Sequence, residues 1–223
     1  MGRELDLAKS NPGEVIRVLG PRLSEERKRR IDKVAANRTG KLAVAIEGVH
    51  DPHNTAAVIR TADAFGILEV HIIEGDTKFR SSRKVTQGAH KWVDVGIWSN
   101  VKAFIEAMKA RGRRVLVAAM DGSQSVGDLS PIEEPTVLVF GNEAEGISDD
   151  MLASADGTFR IPMYGFVESF NISVAAGISI ATLRAGGGGD LSARDLKVLR
   201  ARYYLRSVRA GYDIVKLSGK RDS

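Results

Sequence analysis

The amino-acid sequence predicts an α/β domain with a mainly parallel sheet, flanked at both ends by basic helical extensions. Short apolar runs largely uninterrupted by charge alternate with helical stretches, as in a sheet buried on both faces. The basic residues are concentrated at the two ends. A run of glycines separates the last helical stretch of the middle region from a cationic tail.

In chain order, residues 1–40 form a basic N-terminal helical extension. Ser24 is the expected N-cap, with Glu25 and Glu26 in the first turn ahead of Arg27, Lys28, Arg29, Arg30 and Lys33, and Arg38-Thr39-Gly40 ends the segment. Leu42 to Ile46, Val70 to Ile73, Val115 to Ala119, Val137 to Phe140 and Phe159 to Ile161 read as strands. Helices are expected at about Thr55 to Phe65, Val101 to Ala110, Asp149 to Ala153 and Ser173 to Leu183. Together these occupy residues 41–185, with ligand loops expected at the strand C-termini. Residues 186–223 begin with a hinge at Gly186 to Gly189, which no Lys-Ser/Thr follows and which is therefore no phosphate loop. Ser192 and Asp195 then resemble a capping box. The helix they open carries Arg194, Lys197, Arg200, Arg202, Arg206 and Arg209 interleaved with Tyr203 and Tyr204, a pattern suited to base stacking or to a solvated face.

Of the 223 residues, 33 are Lys or Arg and 28 are Asp or Glu, and there is no Cys. Zero Cys excludes a disulfide framework, a zinc ribbon, an iron–sulfur cluster and thiol catalysis. Net charge is +4 over residues 1–40, −4 over 41–189 and +5 over 190–223. An acidic middle between cationic ends suggests a core flanked by segments that hold a polyanion. The N-terminus has no apolar h-region, and Ile172 to Leu183 falls short of the roughly 18 residues of a membrane span, so no membrane association and a cytoplasmic location are expected.

There is no G-x-G-x-x-G after the first strand, no P-loop, no G-x-S-x-G and no H-E-x-x-H. His50 and His53 form an H-x-x-H pair, but Pro52 lies between them in an expected loop, so no metal site is expected. Three segments crowd small and polar residues at strand ends. His53 to Gly66 offers Asn54 as an N-cap and Arg60 in an otherwise apolar second turn; six residues is about 240° of helix, so the two do not share a face, and Arg60 could pair with Asp63. Val139 to Ile147 runs a strand into Gly141-Asn142-Glu143, presenting amides and a carboxylate at the sheet edge. Ile161 to Ala176 clusters Ser169, Asn171 and Ser173 before a small-residue helix, where each could cap or bind a ligand.

In this order and spacing the three segments resemble motifs 1, 2 and 3 of the SPOUT methyltransferases, in the SpoU/TrmH branch of RNA ribose 2′-O-methyltransferases. The resemblance covers about residues 41–185. It implies an α/β domain whose C-terminal part, about 115–185, is threaded into a deep trefoil knot. It also implies a homodimer with shared active sites, and S-adenosylmethionine as methyl donor with no metal required. By position, Arg60 matches the catalytic arginine, Asn54 its supporting asparagine, Glu143 the motif 2 glutamate, and Ser169 and Asn171 the motif 3 serine and asparagine. The cofactor is implied to lie against main-chain groups around Ala118, Gly141, Ile161, Met163 and Phe170, the last standing where many relatives have Leu.

A general-base role is often given to that arginine. Deprotonating a guanidinium at neutral pH costs upwards of roughly 7 kcal/mol, whereas general-base catalysis returns roughly 3 to 5.5 kcal/mol. Arg60 is therefore read as a cation that clamps phosphate and orients the 2′-hydroxyl. A short basic helix before the domain and a basic helical tail after it resemble the tRNA enzymes of this branch that methylate the D-loop guanosine. The alternatives are a 23S rRNA ribose methyltransferase and a non-catalytic RNA-binding module on the same scaffold.

Overall fold

The structure, a computed structural model, describes residues 2–48, 51–74, 91–142 and 145–219. The chain divides into two compact units, residues 39–187 and a second made of residues 1–38 with 188–223. The boundary between Gly187 and Gly188 falls inside the glycine run.

The larger unit holds, among the described residues, a seven-stranded sheet in which every paired neighbour is parallel. Its strands are β1 (Leu42–Glu47), β2 (Glu69–Ile73), β3 (Asp94–Trp98), β4 (Arg114–Ala118), β5 (Gln124–Ser125), β6 (Thr136–Phe140) and β7 (Gly157–Arg160), in the order β3-β2-β1-β6-β4-β7-β5. β1, β4 and β6 are apolar because helices cover both faces. Leu42, Val44 and Ile46 of β1 pack beneath α4 (Pro52–Ala64) and α7 (Ile172–Leu183), while Ala43 and Ala45 face α5 (Val101–Ala110) and α6 (Asp149–Ser154).

β3 and β5 are additions to the strands expected from sequence. β3 begins with Asp94, contains Gly96 and is only half-buried, so it lacks the continuous apolar run of a central strand. Gly96 stands opposite His71 of β2, and a Cβ there would lie 2.8 Å from His71 Nδ1. The room it leaves lets Trp98 Nε1 donate to His71 Nδ1 at 3.2 Å. On the other side of His71, Nε2 lies 3.4 Å from Glu69, whose carboxylate also meets Arg111 and Arg113. Burial pushes the Glu69 carboxyl upward, but hydrogen bonding to His71 and the charges of Arg113 and Arg111 outweigh it and bring its pKa from 4.5 down to about 2.

The smaller unit is helical: α1 (Gly2–Ser10), α2 (Pro12–Leu19), α3 (Glu25–Ala36), α8 (Ala193–Ser207) and α9 (Gly211–Gly219). Ser24 caps α3, its Oγ accepting from Arg27 N at 3.2 Å, and Ser192 caps α8 by accepting from Asp195 N at 3.1 Å. α8 packs against the other four helices. That packing overturns the base-stacking reading of Tyr203 and Tyr204, while Arg194 and Lys197 keep the solvated face that a charge run implies. Tyr203 and Tyr204 are 1% and 3% exposed, and Arg202 is buried with them, because α8 is the central helix and these side chains are its core. Arg209 lies beyond the helix end.

Candidate functional site

Strand C-termini and the loops that leave them form one pocket in the larger unit. Ala118 ends β4, Gly141 follows β6, Ile161 follows β7, and Met163, Ser169 and Phe170 come from the segment leading to α7. These six line the pocket together with apolar Phe140, Ile172 and Ala175. This is the crevice that open parallel sheets reserve for ligands. Asn142 ties the loop after β6 together: its backbone exchanges both hydrogen bonds with Gly146, and its Oδ1 accepts from Glu145 N at 2.7 Å. A Cβ on Gly141 would collide with the Gly146 carbonyl, so only glycine lets the two stretches of backbone approach this closely. Glu143 lies outside the described residues, as does His50.

α4 brings the first motif to the neighbouring helix pair. Its N-cap is Asp51, whose Oδ1 accepts from His53 N at 2.8 Å, and Pro52 takes the first helical position. The expectation that Asn54 caps this helix is thus corrected: Asn54 is its third residue, and its side chain does not serve as the cap. Asn171 Nδ2 donates to Asn54 Oδ1 at 3.1 Å. Asn171 itself caps α7, its Oδ1 accepting from Ser173 N at 2.9 Å and Ser173 Oγ at 2.6 Å. Two positions 117 residues apart are therefore in direct contact.

Arg60 lies farther along α4. Its side chain is exposed and has neither a hydrogen bond nor an ion pair among the described residues, so the alternative pairing with Asp63 is absent. An exposed, unpartnered guanidinium is chemically available to an anion. No cluster of three or more metal-ligating side chains occurs among the described residues.

Residues 41–181 match the SpoU rRNA Methylase family. The chain belongs to the SpoU methylase family. A similar protein is the tRNA (guanosine(18)-2'-O)-methyltransferase of Thermus thermophilus, 37% identical over 157 residues, or 70% of this chain and 80% of that protein. The enzyme of the same name from Borreliella burgdorferi is 31% identical over 206 residues, covering 90% of this chain and 94% of its own. Among solved structures, the TrmH/SpoU tRNA modifying enzyme of A. aeolicus superposes with a TM-score of 0.71 at 29% identity, over 83% of this chain and 98% of that one. An AdoMet-bound rRNA methyltransferase from Sinorhizobium meliloti gives a TM-score of 0.61 at 28% identity, over 70% of this chain and 60% of that one.

Within this SpoU methylase, the structure brings Ala118, Gly141, Ile161, Met163, Ser169 and Phe170 to one pocket and Asn54 to Asn171. Arg60 is not among the pocket-lining residues. Sequence reasoning passed over Glu47, which closes β1 with a buried carboxylate. The available signal was a single charge ending an otherwise apolar run.

No helix among the described residues is long and apolar enough to cross a membrane.

Proposed function

We propose that the chain is an S-adenosylmethionine-dependent tRNA ribose 2′-O-methyltransferase acting on a D-loop guanosine. The observation that carries this reading is the Asn54–Asn171 contact, which couples the helix bearing Arg60 to the segment lining the pocket. Relatives named for methylation of tRNA guanosine-18 support the choice of substrate.

The pocket fits an adenosine-bearing cofactor. Its walls are mainly apolar, and its polar surface comes from main-chain groups together with Asn142, Glu168 and Ser169. Ala118, Gly141, Ile161, Met163 and Phe170 would hold it. S-adenosylmethionine supplies an electrophilic methyl group on its sulfonium when bound. Arg60 then clamps a substrate phosphate and orients the 2′-hydroxyl, Asn54 and Asn171 fix the α4–α7 contact that aims it, Ser169 adds a hydroxyl to the pocket wall, and Glu143 takes the part of the motif 2 glutamate. Proton removal proceeds late or through water, since a guanidinium offers donors and no acceptor. The same reading carries the trefoil knot over about 115–185; β7 follows β6 in the chain yet pairs with β4 on its far side.

A homodimer belongs to this proposal. Tyr164, Phe166 and Val167 are 97%, 109% and 64% exposed in the segment before α7, and α7 is apolar around its circumference, with Val174 exposed. A helix apolar on all sides implies burial, which a second copy would supply. The ends grip the RNA: Arg22, Arg29, Arg30 and Lys33 are exposed and have no ion pair among the described residues. A tRNA substrate accords with a cytoplasmic location.

Incubating the full chain with labelled S-adenosylmethionine and either tRNA or rRNA, then mapping the methylated nucleotide, tests the proposal. A 2′-O-methyl group on the D-loop guanosine is expected. Modification of rRNA alone, or no transfer, would overturn it.

A further inference from the structure

Glu47 is 7% exposed and follows Ala43 and Ala45 on the sheet face that carries α5 and α6. A buried carboxylate requires donors. Ser148 provides two, its hydroxyl donating to Glu47 Oε1 at 2.6 Å and its amide to Oε2 at 3.3 Å. That O–H···O distance is at the short end of the hydrogen-bond range. Ser148 Oγ also accepts from Met151 N at 3.2 Å and so caps α6.

Ser148 is where the loop that began at Gly141 ends, and Gly141, Asn142, Gly146 and Ile147 of that loop line the pocket. The residue after Glu47 meets the loop at its other end. Gly48 has φ +64°, and a Cβ on it would lie 3.0 Å from Asn142 Nδ2. One strand end therefore touches both ends of the pocket loop, although neither Glu47 nor Gly48 lines the pocket itself. Gly141 and Gly146 offer no side chain to anchor the loop, which leaves the Asn142 hydrogen bonds and these tethers to hold it. A loop already held in its binding conformation spares a ligand the ordering cost.

We propose that Glu47 is a positioning residue for cofactor binding, acting through Ser148 to hold the pocket loop in its binding shape. The proposal rests on the pocket being the S-adenosylmethionine site. If the pair served only to cap α6, its loss would lower stability and leave cofactor affinity alone.

Titration calorimetry of the full chain with S-adenosylmethionine, paired with steady-state kinetics, separates these cases. Glu47→Gln and Ser148→Ala should each weaken cofactor binding by roughly tenfold, the scale of one hydrogen bond. At saturating cofactor, kcat and the KM for tRNA should stay within about twofold. Ser148→Thr, which keeps both donors, should bind as the parent does, and the double variant Glu47→Gln/Ser148→Ala should be no worse than the poorer single one. Should Glu47→Gln fail to fold, Ser148→Ala decides, because Ser148 is exposed and its loss leaves no cavity. Unchanged cofactor affinity in the folded variants, or an equal loss in affinity for tRNA, would overturn the role of Glu47. A parent chain that does not bind S-adenosylmethionine would overturn the pocket assignment and this role with it.

Discussion

Asn171 donates from Nδ2 to Asn54 Oδ1 across 3.1 Å while its own Oδ1 accepts from the backbone and the hydroxyl of Ser173. One side chain thus performs two tasks that substitution can separate. Ser is as good an N-cap as Asn but is too short to repeat the reach to Asn54. Asn171→Ser should keep the melting temperature within a few degrees and reduce kcat by roughly tenfold or more. Asn171→Ala should reduce both, with about 1 kcal/mol of stability lost with the cap. Melting curves beside single-turnover rates check this, and a fully active Asn171→Ser would count against the contact as a catalytic support.

Arg60 is exposed and unpartnered among the described residues, so its removal leaves little structural debt. Arg60→Ala should leave stability within about 0.5 kcal/mol and lower kcat by about a hundredfold or more. Arg60→Lys keeps the charge but loses the planar fork, and should recover only part of the rate. Near-normal turnover by Arg60→Lys would show that charge alone suffices.

RNA binding should depend on exposed cations of the terminal helical unit rather than on its tyrosines. Replacing Arg29, Arg30 and Lys33 together by Glu should weaken tRNA binding and flatten its salt dependence by a slope of about 3, while S-adenosylmethionine binding stays the same. Binding isotherms at several salt concentrations measure both. Deleting residues 190–223 is a poorer probe, because it removes Leu199, Tyr203, Tyr204 and Leu205 from the core of that unit.

Acid should expose the Glu69 network. The folded-state pKa of Glu69 lies near 2, below the ordinary 4.5, so its stabilisation is complete above about pH 4.5 and is lost as pH falls toward 2. The linkage amounts to at most about 3 kcal/mol. Unfolding by urea at pH 7, 4 and 3 should therefore show a steeper decline for the parent chain than for Glu69→Gln. Parallel declines would argue that the ion pairs with Arg111 and Arg113 contribute little.

Elements with strong local signals were legible in the sequence. α5 matches its expected bounds because Asn100 caps an amphipathic run, accepting from Ala103 N at 2.8 Å. Central strands β1, β4 and β6 were visible because burial on both faces demands continuous apolar runs. Edge strand β3 was not, since Asp94, Gly96 and half-burial obey pairing constraints that only the neighbouring His71 reveals. Tyr203 and Tyr204 misled because a helix at the centre of a small bundle buries residues on several sides, and charge periodicity cannot show which. The pocket residues followed from family resemblance, not from local pattern. Glu47 and Ser148 stayed hidden because 101 residues separate them, and only the fold puts a carboxylate at the start of a distant helix.

The terminal helical unit is discontinuous, built from residues 1–38 and 188–223. During translation its first three helices emerge long before α8 can cover Val15, Leu19 and Ile31. At ordinary elongation rates, residues 39–187 take roughly 7 to 30 s to add. For that interval the nascent chain displays an apolar, cationic helical segment without its core. Ribosome-bound chains halted before residue 188 should therefore be readily cleaved within residues 1–38, and the finished protein should not.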